Sequence, residues 1–204
     1  MGRVRRTGIL GGSFDPPHIG HLILAQCACE QFELETVQWV IAADPPHKQS
    51  ENITKIATRI EMVRAAIRDN KCFVFSRLDI DRPGPHYTID MLELASNVFK
   101  GNDLYFLLGS DSVHDLHAWH QPHRLGEHAR LAVMRRTGSL IEQRELDKLS
   151  PKLYTNLVMI DGPSVDISST MLRDLVRKKK SIQYLVPSLV EKIIERRGLY
   201  KHHA

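Results

Sequence analysis

With 204 residues, of which 42% are hydrophobic and 25% charged, the chain has the size and apolar content of one globular domain, expected to run over residues 1–204. Its 28 Lys and Arg against 24 Asp and Glu leave a formal net charge of +4, which suits small anionic substrates and falls well short of a nucleic-acid binder's excess. The start, MGRVRRTGILGG, has no apolar segment of useful length and no stretch approaches a membrane span, so neither a membrane nor a nucleic acid is expected as a partner.

In chain order, apolar runs at about Val4–Leu10, Val37–Ala42, Phe73–Ile80, Leu104–Leu108, Arg130–Met134 and Asn156–Ile160 read as strands, the near-continuous ones as strands buried on both faces. Helical patterns fall between them, with Ile56, Ile60, Val63 and Ile67 on one face and Ile89, Leu92 and Phe99 on another. Such alternation predicts an α/β fold, a doubly wound (Rossmann-like) parallel sheet, completed here by C-terminal helices. Gly138 to Pro151 reads as a polar surface excursion. His114, His117, His120 and His123 recur every third residue, but on an α-helix that spacing walks around the cylinder, and Pro122 interrupts it, so no metal site is expected. Arg177-Lys178-Lys179-Lys180 belongs at the C-terminus of a helix starting near Ser169, where cations meet the dipole. Cys27 and Cys29 are too close for a disulfide within a helix and Cys72 stands alone, which points to a reduced cytoplasm. A homo-oligomer is left open as a partner, because oligomeric state is not legible in the sequence.

Chemistry concentrates at both ends of the chain. Residues 11 to 22, GGSFDPPHIGHL, follow the first predicted strand. A glycine-rich turn leading to two imidazoles at the mouth of a helix is a phosphate site, because backbone N–H groups and histidines can grip one anion. Gly11 and Gly12 let backbone approach phosphates, Ser13 offers a hydroxyl, Gly20 removes a side chain, and Asp15 is read as a brace of the loop. Near the other end, residues 167 to 173 read ISSTMLR, where Ser168, Ser169 and Thr170 supply hydroxyls and N–H groups at a helix N-terminus, with Arg173 one turn in.

The first segment resembles the HxGH signature of the nucleotidyltransferase superfamily, which class I aminoacyl-tRNA synthetases share. The second resembles the ISxTxxR motif of small adenylyltransferases and not the KMSKS loop of synthetases. Asp44-Pro45-Pro46-His47-Lys48, Pro85-His86-Tyr87-Thr88, Gly109-Ser110-Asp111-Ser112, Ala118-Trp119-His120 and the ending Arg197-Gly198-Leu199-Tyr200 are similar, in order and spacing, to bacterial nicotinate-nucleotide adenylyltransferases. His86 stands where serine is usual, and His120 where an aromatic phenol often follows the tryptophan.

That resemblance implies transfer of AMP from ATP, with Mg²⁺, to nicotinate mononucleotide, giving deamido-NAD and pyrophosphate in the cytoplasm. It implies ATP contacts at Gly11, Gly12, Ser13, Phe14, His18, Gly20, His21, Gly109, Asp111, Ser168, Ser169, Thr170 and Arg173. His18, His21, Lys48 and Arg173 are the implied catalytic groups, and Lys48, Tyr87, Thr88, Trp119 and His120 the mononucleotide contacts. A different acceptor, nicotinamide mononucleotide or phosphopantetheine, and a non-catalytic nucleotide-binding regulator remain as alternatives.

Overall fold

Strand pairing sets the frame of the computed structural model, which describes residues 4–43, 53–134 and 151–201, the side chains at 110, 111, 114, 151 and 152 excepted. Strands β1 (Arg6–Gly12), β2 (Thr36–Ile41), β3 (Phe73–Ser76), β4 (Asp103–Gly109), β5 (Arg130–Met134) and β6 (Leu157–Ile160) form one sheet in the order β3-β2-β1-β4-β5-β6. Every pairing is parallel. This is the strand order of a doubly wound sheet, whose crossovers reverse direction between β1 and β4.

The helices are α1 (Ile19–Gln31), α2 (Ile56–Ile67), α3 (Thr88–Val98), α4 (Ser110–Asp115), α5 (Leu125–His128), α6 (Pro151–Thr155), α7 (Ser169–Arg177) and α8 (Ser188–Arg197). Alternation along the strands sorts the core. Ile9, Phe106, Leu108 and Val133 pack on one face with Ile89, Leu92 and Ala95 of α3. Leu10, Trp39, Tyr105 and Leu107 pack on the other with Leu24 and Ala28 of α1 and Val63 and Ile67 of α2. A third cluster joins α7 and α8 through Leu172, Val190 and Ile194 to Met62 of α2. The expected C-terminal helices therefore extend the α1/α2 layer.

Three readings from sequence are corrected. Gly11 and Gly12, expected in a turn, are the last residues of β1 and pair with Val40 and Ile41, since a ladder needs backbone groups and no side chains. The third strand stops at Ser76, short of Ile80. Its last partner is Val40, and β2 itself ends at Ile41. Cys72 is not isolated: it forms a disulfide with Cys29, across a separation of 43 residues. The pairing of β2 with β3 brings Cys72 beside the end of α1, where its carbonyl accepts from Val37 N–H at 2.7 Å. The cysteines therefore give no support to a reducing compartment.

The helix cap and the basic run fall where the sequence places them. Ser168 caps α7, its hydroxyl accepting from Met171 N–H at 3.1 Å, and the basic run follows the helix end at Arg177. The four histidines fall on α4, a 3₁₀ turn at Leu116–Ala118, the segment after it and a second turn at Pro122–Arg124. Among the described residues no group of three His, Cys, Asp or Glu is placed to hold a metal ion. The expected excursion from Gly138 lies outside the described residues as far as residue 150.

Candidate active site

The C-terminal ends of β1 and β4 diverge at the switch point, and the segment from Ser13 to His18 crosses the opening before α1 begins. Phe14 turns there with φ 48°, and its buried ring lies 5.1 Å from His21 and 5.2 Å from Trp39. His18 occupies the N-cap of α1, 3% exposed, and its backbone N–H donates to His21 Nδ1 at 3.1 Å. An Nδ1 that accepts a bond carries its lone pair inward, so the ring proton of neutral His21 sits on Nε2. The two rings lie against each other with centroids 3.7 Å apart and planes tilted by 32°. Gly20 allows this: a Cβ there would lie 3.1 Å from His18 Nδ1.

The crossing segment is held from three directions. Arg59, 2% exposed, donates to Ser13 O and Ala42 O through Nη1, to Ala43 O through Nη2 and to Thr54 O through Nε. Asp15, 3% exposed, accepts from Tyr200 Oη at 2.5 Å and from Thr54 N–H at 3.0 Å. Asp15 thus braces the loop as read from sequence. Burial and the Asp15 charge push the Tyr200 phenol far above its usual pKa, so it remains a donor. From α7, Ser169 Oγ donates to Pro16 O at 2.8 Å. Arg173, also buried, donates to Asp15 O at 3.0 Å and to Thr170 Oγ1 at 3.2 Å.

Two cavities flank the imidazole pair. The larger, about 420 Å³, lies between the loop, the start of α3 and the start of α7, and is lined by Gly12, Ser13, Phe14, Tyr87, Thr88, Trp119, Ser168, Ser169 and Thr170 among others. The smaller, about 140 Å³, is lined by Gly20, Leu24, Gly109, Met134 and Val165 among others. Gly11, His18, His21, Leu108 and Ser112 line both. The HxGH segment, Tyr87-Thr88, Gly109, Ser112, Trp119 and Ser168–Thr170 therefore converge on one cleft.

Not every candidate faces it. Arg173 does not line either cavity; its guanidinium is engaged with the loop, a role invisible to a motif match. His120 is exposed and stacks on Tyr87 with centroids 4.1 Å apart, outside the lining. Lys48 and the side chain of Asp111 lie outside the described residues. Asp79 and His86, which sequence reading did not select, do line the larger cavity. The only signal for them was the His86 departure from serine.

A doubly wound sheet with paired imidazoles at its switch point, between two cavities, defines an α/β nucleotidyltransferase type of protein. Residues 9–175 match the family model described as Cytidylyltransferase-like. A relative from Thermomicrobium roseum, described as a probable nicotinate-nucleotide adenylyltransferase, is 39% identical over 96% of this chain and 92% of its own. One from Roseiflexus castenholzii with the same description is 42% identical over 96% and 98%. A solved Plasmodium falciparum nicotinic acid mononucleotide adenylyltransferase, complexed with NaAD, shares the fold with TM-score 0.79 at 21% identity, over 96% of this chain and 97% of its own. The chain belongs to the cytidylyltransferase-like family and, within it, to the nicotinate-nucleotide adenylyltransferases.

Proposed function

We propose that this chain is one nucleotidyltransferase domain over residues 1–204 that transfers AMP from ATP to nicotinate mononucleotide, releasing pyrophosphate and forming deamido-NAD. The observation that carries the reading is the meeting of two cavities at His18 and His21. A reaction joining two nucleotides through one phosphorus needs room on either side of a donor cluster. The names of the relatives point to the same substrates.

In the reaction an oxygen of the acceptor 5′-phosphate attacks the α-phosphorus of ATP in line, and the bond from that phosphorus to the α,β-bridging oxygen breaks. No covalent enzyme intermediate is needed. Charge grows on the non-bridging α-oxygens and on the departing pyrophosphate, so the protein's contribution is positioning and fixed donors. His18 and the Nε2–H of His21 serve the α-phosphate, with the backbone of Gly11, Gly12, Ser13 and Phe14 against the chain of phosphates. Ser168, Ser169 and Thr170 offer α7 N-terminal groups to the leaving phosphates. Lys48 and Arg173 add positive charge, the latter from behind the loop. Gly20 and Gly109, which line the smaller cavity, serve as adenosine contacts, together with Asp111 two residues further along the chain. Trp119 supplies a stacking face for the pyridine, with Tyr87, Thr88 and His120 on the acceptor side. Mg²⁺, entering with ATP, would offset the charge that grows on the leaving pyrophosphate and would need no dedicated cage of protein ligands. No helix among the described residues is long and apolar enough to cross a membrane. We place the reaction in the cytoplasm on its substrates.

The deciding experiment measures pyrophosphate release from ATP and Mg²⁺ with nicotinate mononucleotide, nicotinamide mononucleotide or phosphopantetheine offered singly. A preference of at least ~10²-fold in kcat/KM for the nicotinate form is expected, because N–H donors at a carboxylate site leave an amide NH₂ opposed. Comparable efficiency for the two mononucleotides overturns the acceptor assignment, and ATP binding without turnover favours a regulator.

A further inference from the structure

We propose that the buried Asp79–Arg82 pair, with His86 beside it, is the positioning element for the acceptor half of the cleft. It fixes the Pro83–Tyr87 segment and the start of α3 before the acceptor arrives. The inference rests on the function proposed above and adds Asp79 and Arg82, which no motif match supplies.

Asp79 is 4% exposed and gathers three contacts: Ala43 N–H donates to Oδ2 at 3.0 Å, Arg82 Nε donates to Oδ1 at 2.7 Å, and His86 Nδ1 lies 3.3 Å from Oδ2. The Arg82 side chain, 11% exposed, spreads its remaining donors over the segment that follows it. Nη1 reaches Pro85 O at 2.7 Å and Nη2 reaches Tyr87 O at 3.0 Å. One guanidinium thus ties the residue before α3 to a carboxylate that is itself tied to the exit of β2. Both tied segments border the larger cavity, through Ala42 on one side and Tyr87 and Thr88 on the other. A guanidinium makes such a multiple tie because its donors lie in a rigid plane, which a lysine ammonium cannot reproduce.

The phosphate loop is held by different groups, Arg59, Tyr200 and Ser169, and the two networks meet at Ala43, whose carbonyl accepts from Arg59. Loosening Arg82 should therefore be felt by the acceptor more than by ATP. A loop displaced by about 1 Å can cost on the order of 10² in rate.

The test is steady-state kinetics of Arg82→Ala, Arg82→Lys and His86→Ser, varying each substrate in turn. Arg82→Ala should raise KM for nicotinate mononucleotide at least ~10-fold while KM for ATP stays within about threefold, with Arg82→Lys intermediate and His86→Ser showing the same split more weakly. Should Arg82→Ala not fold, the split is read from Arg82→Lys. Equal rises in both KM values, or no rise in either, overturn the proposal. Wild type that transfers AMP to a different acceptor removes only the acceptor assignment, and the same split, read with that acceptor, decides the positioning role. Wild type that transfers to none removes both.

Discussion

His18 and His21 act as a unit because the backbone of one fixes the ring of the other. The N–H of residue 18 donates to His21 Nδ1, and the two adjoining rings line both cavities. Loss of one preorganised donor to a developing oxyanion costs about 10²–10³ in rate, roughly 3–4 kcal/mol. His18→Ala and His21→Ala should each lower kcat by that order, with a smaller change in KM for ATP. An unchanged kcat in either would take the catalytic role from that residue. Gly20 gives a finer probe. A methyl group there meets the His18 ring at 3.1 Å, and the ring is too enclosed to yield freely. An alanine also favours the helix by up to about 1 kcal/mol. Gly20→Ala should therefore keep its thermal midpoint and lose several-fold in kcat; an active variant would show that the ring can shift without harm.

At the level of elements, strands were legible wherever apolar residues run unbroken, as at β4 and β5, because burial on both faces removes the alternation that could mislead. The end of β3 was not, since Leu78 and Ile80 are apolar but lack a partner strand beyond Ile41. The Cys29–Cys72 bond was hidden for a similar reason: it depends on which strand pairs with β2. Closing a loop of 43 residues is worth up to about 4 kcal/mol in a chain-entropy treatment. Reduction with dithiothreitol should lower the melting temperature, and denatured unreduced protein should titrate one thiol, that of Cys27. Three reactive thiols before reduction would remove the cross-link. Helix α8 is tied to α2 by Arg196 and Arg197 on Glu61, whose carboxyl is held below its ordinary pKa chiefly by the bond from Arg197. A carboxyl with its folded-state pKa depressed stabilises above the unfolded value and loses that contribution as pH falls through the folded one. Glu61→Gln should melt on the order of 1–3 °C lower at pH 7, a small effect because the arginines are largely exposed, and the gap should close as pH falls through the depressed folded-state pKa of Glu61. A gap that persists in acid would mean packing, not charge, joins the helices.

Across the whole molecule, the groups easiest to find from sequence are those whose local pattern is itself the device: HxGH places two imidazoles on one helical turn, and Ser168 caps its own helix. Arg59, Asp79 and Tyr200 act on backbone or side chains far away in sequence, and Arg82 joins Asp79 to the segment just after it, pairings that no local pattern spells out. Tyr200 is the clearest case. It follows α8 by a few residues, yet its hydroxyl reaches back 185 positions to Asp15, in the loop that leads to His18. Through this bond the C-terminal helices, which contribute no lining residue from α8 to either cavity, take part in shaping the cleft. Tyr200→Phe keeps the ring but strips the carboxylate of one donor in a site that water reaches poorly. Leaving a buried polar group short of a partner costs about 1–3 kcal/mol, more for a charged one. The variant should be less stable by that order and should lower kcat, because the loop, released from one of its ties, no longer fixes His18. Asp15→Asn added to it should cost less than the sum of the single changes, since the uncompensated charge is gone. Additive losses in a double-mutant cycle on both melting temperature and kcat would show that the tail only packs and does not hold the loop.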